Sequence, residues 1–233
     1  MSRSLLLLNI ILIGVLPAKE GVILLHGLCR SSASMSKMAD ALTDAGYVTE
    51  NVSYPSRTNQ IETLANNAIG TALNKKEIKA CTKVHFVTHS LGGILVRSYF
   101  HNRKDNRLGR VVMLSPPNQG SEVVDHVGSW KLSHWINGPA GKELGTKPDS
   151  TPNKLGKITF ECGVISGDRS INWINSLLIP GKDDGKVSVK RSKTEGINDH
   201  RVLHVTHSFM MKNKKVINET LHFLRVGKFR PTE

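Results

Sequence analysis

Acidic residues are scarce in this chain: 19 Asp and Glu stand against 32 Lys and Arg, leaving a formal net charge of +13. Such a balance favours anionic surfaces such as the phospholipid headgroups of a membrane or polyanions, the plain alternative being a solvated basic surface. A single basic stripe is missing, because Lys75-Lys76, Arg103-Lys104, Lys190-Arg191 and Lys214-Lys215 fall in separate segments. Neither interleaved aromatics nor a recognised binding motif accompanies them, so no nucleic-acid partner is expected. Cysteines are few, and Cys29, Cys81 and Cys162 show neither close pairing nor metal-ligand spacing, which selects no disulfide pair and predicts no metal site. There is no low-complexity tract and no internal repeat, and with 39% hydrophobic and 22% charged residues the profile is that of a globular protein.

A membrane-spanning segment is also lacking. Leu5 to Leu16 is apolar apart from Asn9 and Gly14, yet it falls short of the roughly 20 residues a spanning helix needs. Preceded by Arg3 and followed by Pro17-Ala18, it reads as a secretory signal peptide over residues 1–18, with an exported, periplasmic or secreted product. The competing reading is a buried first strand in a protein that stays cytoplasmic or membrane-associated. The remaining 19–233 fit one domain, long enough to bury roughly 70% of the surface its unfolded chain exposes.

From Gly21 onward, strand-like apolar runs alternate with helix-like periodic ones. This predicts an α/β fold: a mostly parallel sheet of about six strands with helices on both faces. Val22–Leu25, Tyr47–Val52, Lys83–Thr88, Arg110–Leu114, Ile158–Ile165 and Arg201–Val205 are the expected strands. Helices are expected from about Ser34 to Gly46, from Ile61 to about Lys79, after Ser90, and from about Ser208 with Met211, Ile217, Leu221 and Leu224 as the inner face. The segment 118–157 has little periodicity and many glycines, prolines and polar residues, and reads as a long functional loop. Its Trp130, Leu132, Trp135 and Ile136 are expected to form an apolar lip over Ser90 for acyl chains, the plain alternative being an ordinary surface loop with satellite packing.

The chemistry centres on Val87-Thr88-His89-Ser90-Leu91-Gly92-Gly93. A serine hydroxyl needs a base to take its proton and a position where a carbonyl carbon can reach it, and a sharp strand-to-helix turn supplies the position. Gly92 meets the need for a small residue two after the serine, whereas Thr88 stands where glycine is usual two before it. The plain alternative is that Ser90 only caps a helix. Oxyanion stabilisation requires backbone N–H donors already in place. Leu91 offers one at a helix start and Leu28, in the loop after the first strand, offers the second. His26, Gly27 and His89 are read as structural parts of the loop and the turn, and His85 as a packing histidine.

In a hydrolase with such a turn, the acid and then the base follow the serine along the chain. His207, just beyond the last strand, is the expected base and His204 its competitor within the strand pattern; His200 and His222 are expected at the surface. For the acid, Asp184 and Asp168 both qualify, with Asp183 reserved for loop amides.

The runs Val22-Ile23-Leu24-Leu25-His26-Gly27-Leu28, Thr88-His89-Ser90-Leu91-Gly92-Gly93, Ser115-Pro116-Pro117-Asn118-Gln119-Gly120-Ser121 and Asp184-Gly185-Lys186-Val187 resemble the bacterial lipases and esterases of the α/β-hydrolase superfamily. The resemblance implies Asp184 as the acid, Leu28 and Leu91 as the oxyanion donors, and a small cap or lid insertion over 118–157. The expected activity is carboxylic-ester hydrolysis on a lipid or other acyl ester, through an acyl-enzyme, with no metal or organic cofactor. Acyl transfer or thioester cleavage would use the same groups, and an inactive member binding lipid or polyanions is the rival from another class.

Overall fold

The computed structural model describes residues 19–127, 138–171 and 173–231. Six strands form one sheet in which every pairing is parallel: β1 Glu20–Leu25, β2 Val48–Val52, β3 Lys83–His89, β4 Leu108–Leu114, β5 Cys162–Gly167 and β6 Asp199–Leu203, in the order β2-β1-β3-β4-β5-β6. Parallel pairing forces each connection to cross a face of the sheet, and the alternating side chains of each strand supply both faces with apolar cover. Ile23, Leu25, Phe86, Val111 and Met113 point to one core, and Val22, Leu24, Val87, Val112 and Leu114 to the other.

Helices α2 (Ile61–Leu73), α3 (Lys76–Lys79) and α4 (Leu91–Phe100) bury apolar residues in the first core. Helices α1 (Ser36–Asp44) and α8 (Lys214–Val226) serve the second. Three shorter helices lie between: α5 Glu122–Val127, α6 Thr151–Lys154 and α7 Trp173–Leu178. The chain is also helical over 138–142.

Several boundaries differ from the sequence expectation. The helix expected to run from Ile61 to Lys79 is two, because Lys75 adopts extended backbone (φ −59°, ψ 136°) between them. The last helix starts at Lys214 rather than near Ser208, since Asn213 provides the stronger cap by accepting the amides of Lys215 (2.8 Å) and Val216 (3.4 Å). Strand β5 begins only at Cys162, after Ile158 has spent its amide on Glu195, outside the sheet. His200 is only half-buried, and its Nε2 meets the hydroxyl of Ser166 at 2.8 Å, tying β6 to β5.

The described parts of 118–157 are anchored by one cation. Arg97 on α4 is 4% exposed and donates to the carbonyls of Asn118 (2.8 Å), Pro152 (3.1 Å) and Gly156 (2.6 Å). Burial pushes its guanidinium down to about 10, still charged at neutral pH, so both ends of the segment are held to the helix that follows Ser90. Trp130, Leu132, Trp135 and Ile136, the expected lip, lie outside the described residues, as do residues 1–18.

Candidate active site

All strands being parallel, their C-terminal ends share one edge, and there the expected site residues gather. Ser90 alone separates β3 from α4, with φ 52° and ψ −118°. A left-handed φ is costly for a residue with a Cβ, by roughly 1–3 kcal/mol, and persists where surrounding structure enforces it. The Ser90 amide is held by the carbonyl of Leu114 at 2.9 Å. Its side chain makes no capping hydrogen bond to α4, so this is not the geometry of an ordinary helix cap.

Close packing explains the neighbouring glycines. A Cβ on Gly92 would lie 2.6 Å from the carbonyl oxygen of Leu25 and 2.9 Å from its Cβ, so α4 can approach β1 only without a side chain there. Thr88, fully buried, fits in place of the usual glycine because Gly93 leaves space across from it: a Cβ on Gly93 would stand 3.3 Å from the Thr88 hydroxyl and 3.1 Å from Pro116.

His207 lies in the turn after β6 and is 7% exposed. Its Nδ1–H donates to Asp184 Oδ2 at 2.8 Å, and its amide donates to the Asp184 carbonyl at 3.0 Å. The other carboxylate oxygen, Oδ1, accepts the amides of Val187 (2.9 Å) and Lys186 (3.1 Å). Burial of Asp184 pushes its carboxyl up, but the charge and hydrogen bond of His207, with those of Ser115 and Val187, outweigh this and hold it below the ordinary carboxylate range. With Nδ1 committed to the carboxylate, Nε2 is the ring nitrogen left to take a proton. The alternative acid, Asp168, is turned elsewhere: it meets Nδ1 of His204 at 3.0 Å, and that side chain is 75% exposed. Asp183 accepts the Gly185 amide and the Ser176 hydroxyl.

The loop after β1 packs directly on the turn. A Cβ on Gly27 would lie 3.1 Å from the Cβ of Ser90 and 2.8 Å from Nδ1 of His89. His26 holds this loop: its Nδ1 donates to the Gly27 carbonyl at 2.9 Å, and its ring stacks on Tyr54 at 4.0 Å. The Tyr54 hydroxyl donates in turn to the His26 carbonyl. Burial lowers the His26 pKa and keeps the ring neutral. The Leu28 and Leu91 amides thus sit one residue beyond Gly27 and Ser90, whose Cβ positions nearly touch, and Leu91 opens α4 with its positive dipole end. His85 is buried at the opposite edge, where Nε2 donates to Glu20 at 3.2 Å and Nδ1 accepts the Arg110 amide.

The family model for palmitoyl protein thioesterases matches residues 21–154, more than half of the chain. The chain belongs to the palmitoyl protein thioesterase family. The matched stretch of this thioesterase-family protein contains Leu28, Ser90 and Leu91, and ends before Asp184 and His207. No curated protein matches the sequence.

Among solved structures, lipase BlEst2 from Bacillus licheniformis in its mature form is similar at TM-score 0.72 and 20% identity, covering 89% of this chain and 93% of that one; the chain spans 52% of the propeptide form. Phospholipase PlaB from Legionella pneumophila follows at TM-score 0.69 and 15% identity, covering 88% of this chain and 56% of that one. Bromoperoxidase from Bacillus anthracis is similar at 0.56 and 18%, over 89% and 92% of the two chains. The protein therefore has the α/β-hydrolase fold, with lipases and esterases among its neighbours.

Three residues in and around the candidate site had no assigned role in the sequence. Ser115 follows β4 with φ 42°, is 1% exposed, and accepts the Gly167 amide at 3.2 Å while hydrogen-bonding Asp184. The strand-ending Ser115-Pro116-Pro117 run marks its place but not its partner. Tyr54 and Arg97 act across long chain separations, as described above, which no local pattern displays.

Proposed function

We propose that this protein is a serine hydrolase of acyl esters in which Ser90 attacks the carbonyl carbon, His207 accepts and returns the proton, and Asp184 orients His207. The observation that carries this reading is the buried Asp184–His207 pair on the same sheet edge as the strained Ser90 turn. The hydroxyl proton passes to His207 Nε2 as the Ser90 Oγ–carbon bond forms, and the oxyanion is met by the amides of Leu28 and Leu91. Collapse expels the alcohol, protonated by His207. Water then attacks the acyl-enzyme by the same route and releases the acid, so no metal or organic cofactor enters.

The family match favours a second reading, acyl thioesters, which differs only in the leaving group. Turnover of p-nitrophenyl esters and matched acyl thioesters of graded chain length, by wild type and Ser90→Ala, tests both. Loss of all turnover in Ser90→Ala is expected, and its persistence would overturn the reading. Transfer of the acyl group to an added alcohol in preference to water would make the protein an acyltransferase. Wild type that binds lipid yet neither hydrolyses nor labels with a fluorophosphonate would be an inactive binding member.

We also propose that substrate is presented at an anionic lipid surface. Ile171, Ile174 and Leu177 are 62%, 57% and 76% exposed at three-residue spacing, along and just before α7, which leaves β5 at the edge where Ser90 lies. Between residues 169 and 186 the exposed charges are Arg169, Lys182 and Lys186, while Asp183 and Asp184 are buried. An apolar stripe flanked in the chain by Arg169, Lys182 and Lys186 suits phospholipid headgroups of negative charge.

A further inference from the structure

His89 departs from a packing residue in a way the proposed mechanism leaves unused. It is the last residue of β3 and is 2% exposed. Its Nε2 lies 3.0 Å from the backbone carbonyl of His207, and the two rings stand 4.7 Å apart, tilted by 51°. A carbonyl only accepts, so Nε2 carries the proton and Nδ1 is bare. Nδ1 is buried without a hydrogen-bond partner and faces Gly27. An unpaired buried acceptor costs stability, which a purely apolar filler of the same space would avoid.

The bond spans a gap that the sheet does not. Strands β3 and β6 are separated by β4 and β5, so at about 4.8 Å per strand Ser90 and the turn of His207 belong to strands roughly 14 Å apart. Asp184 secures the amide and ring of His207, but it does so from a loop beyond β5. Among the hydrogen bonds of the described residues, that of His89 is the one joining the end of β3 to His207.

We propose that His89 is a positioning residue, whose Nε2–H bond to the His207 carbonyl sets the base at a fixed distance from the nucleophile one residue along. The proposal rests on Ser90 and His207 acting as nucleophile and base. The ring must stay neutral for this, because a second N–H would press against Gly27 without an acceptor. Burial, with His207, Arg30 and His26 as the charged or titratable groups facing it, lowers its pKa well below the usual histidine value.

Three variants test the idea on a soluble short-chain ester: His89→Leu, which fills the space without a donor, His89→Gln, whose amide reaches the position of Nε2, and His89→Asn, whose amide stops short of it. Expected is a loss in kcat of about tenfold or more for Leu and Asn, since small misplacement of a reacting group suffices for that. KM should stay within about twofold, and Gln should regain most of the rate. If Leu fails to fold, the ratio of Gln to Asn carries the same information. Equal rates for Gln and Asn, or a Leu variant as fast as wild type, would overturn the proposal. Ser90→Ala is run beside them: if it still turns over, the site reading itself fails, whereas a dead Ser90→Ala beside a fully active His89→Leu removes only the role given to His89.

Discussion

Asp184 and Asp168 both follow strand β5, yet only Asp184 reaches His207, with 2.8 Å between its Oδ2 and the ring Nδ1. Asp168 instead ends 3.0 Å from His204, a side chain turned to solvent. The difference arises from the turn 183–188, where the amides of Lys186 and Val187 fold back onto the carboxylate and aim it inward.

Replacing each carboxylate by its amide should therefore separate the two aspartates. Asp184→Asn is expected to lower kcat by about three to four orders of magnitude, because the amide no longer stabilises the imidazolium or selects its tautomer. Asp168→Asn should leave kcat/KM within about threefold, as expected for loss of a solvent-exposed pair. Steady-state kinetics on one p-nitrophenyl ester decides, and the reverse ranking would remove Asp184 from the mechanism.

Gly92 should tolerate no side chain. With a Cβ 2.6 Å from a backbone oxygen of β1, Gly92→Ala must push α4 away from the sheet, at a cost of about 1–3 kcal/mol. Urea unfolding measures this, and an unchanged midpoint would show that the helix shifts freely.

Stability should decline in mild acid. His26, His85 and His89 are pushed below the usual histidine range by burial, and His200 down to about 4. The unfolded chain thus binds protons below roughly pH 6.5 that the folded chain does not, so stability is full above that pH and is lost as pH falls through the window beneath it. Asp184 acts later, since a depressed carboxyl contributes stability above its unfolded value and loses it only as pH falls through its lower folded value. The free energy of urea unfolding, followed from pH 7 to pH 5, should fall with uptake of more than one proton. A flat profile would count against neutral buried rings.

Leu177→Asp should weaken attachment to anionic vesicles. Placing a carboxylate in the most exposed position of the α7 stripe opposes both the apolar contact and the charge attraction, and co-sedimentation with phosphatidylglycerol vesicles should drop about tenfold. Wild type that ignores such vesicles, or that buries the stripe in a dimer by light scattering, would end the proposal.

The tight turn at Ser90 and the parallel α/β architecture were legible in the sequence for local reasons. Alternating apolar runs specify strands whatever lies across from them, and a serine between a β-branched strand and a periodic helix, followed by Gly92, marks a tight turn. What the local pattern could not express is distance across the fold. Thr88 breaks the usual glycine pattern on paper, and only the packing of Gly93 against it shows where the room was found. The choice between Asp168 and Asp184 likewise depended on which carboxylate the loop amides turn inward, a three-dimensional matter that equal positions after one strand leave undecided. Ser90 was therefore determined by sequence alone as the candidate nucleophile, while its company, Asp184 on His207, His89 behind it and Ser115 beside it, was decided by tertiary structure, because hydrogen bonds between distant segments leave no periodic trace in the chain.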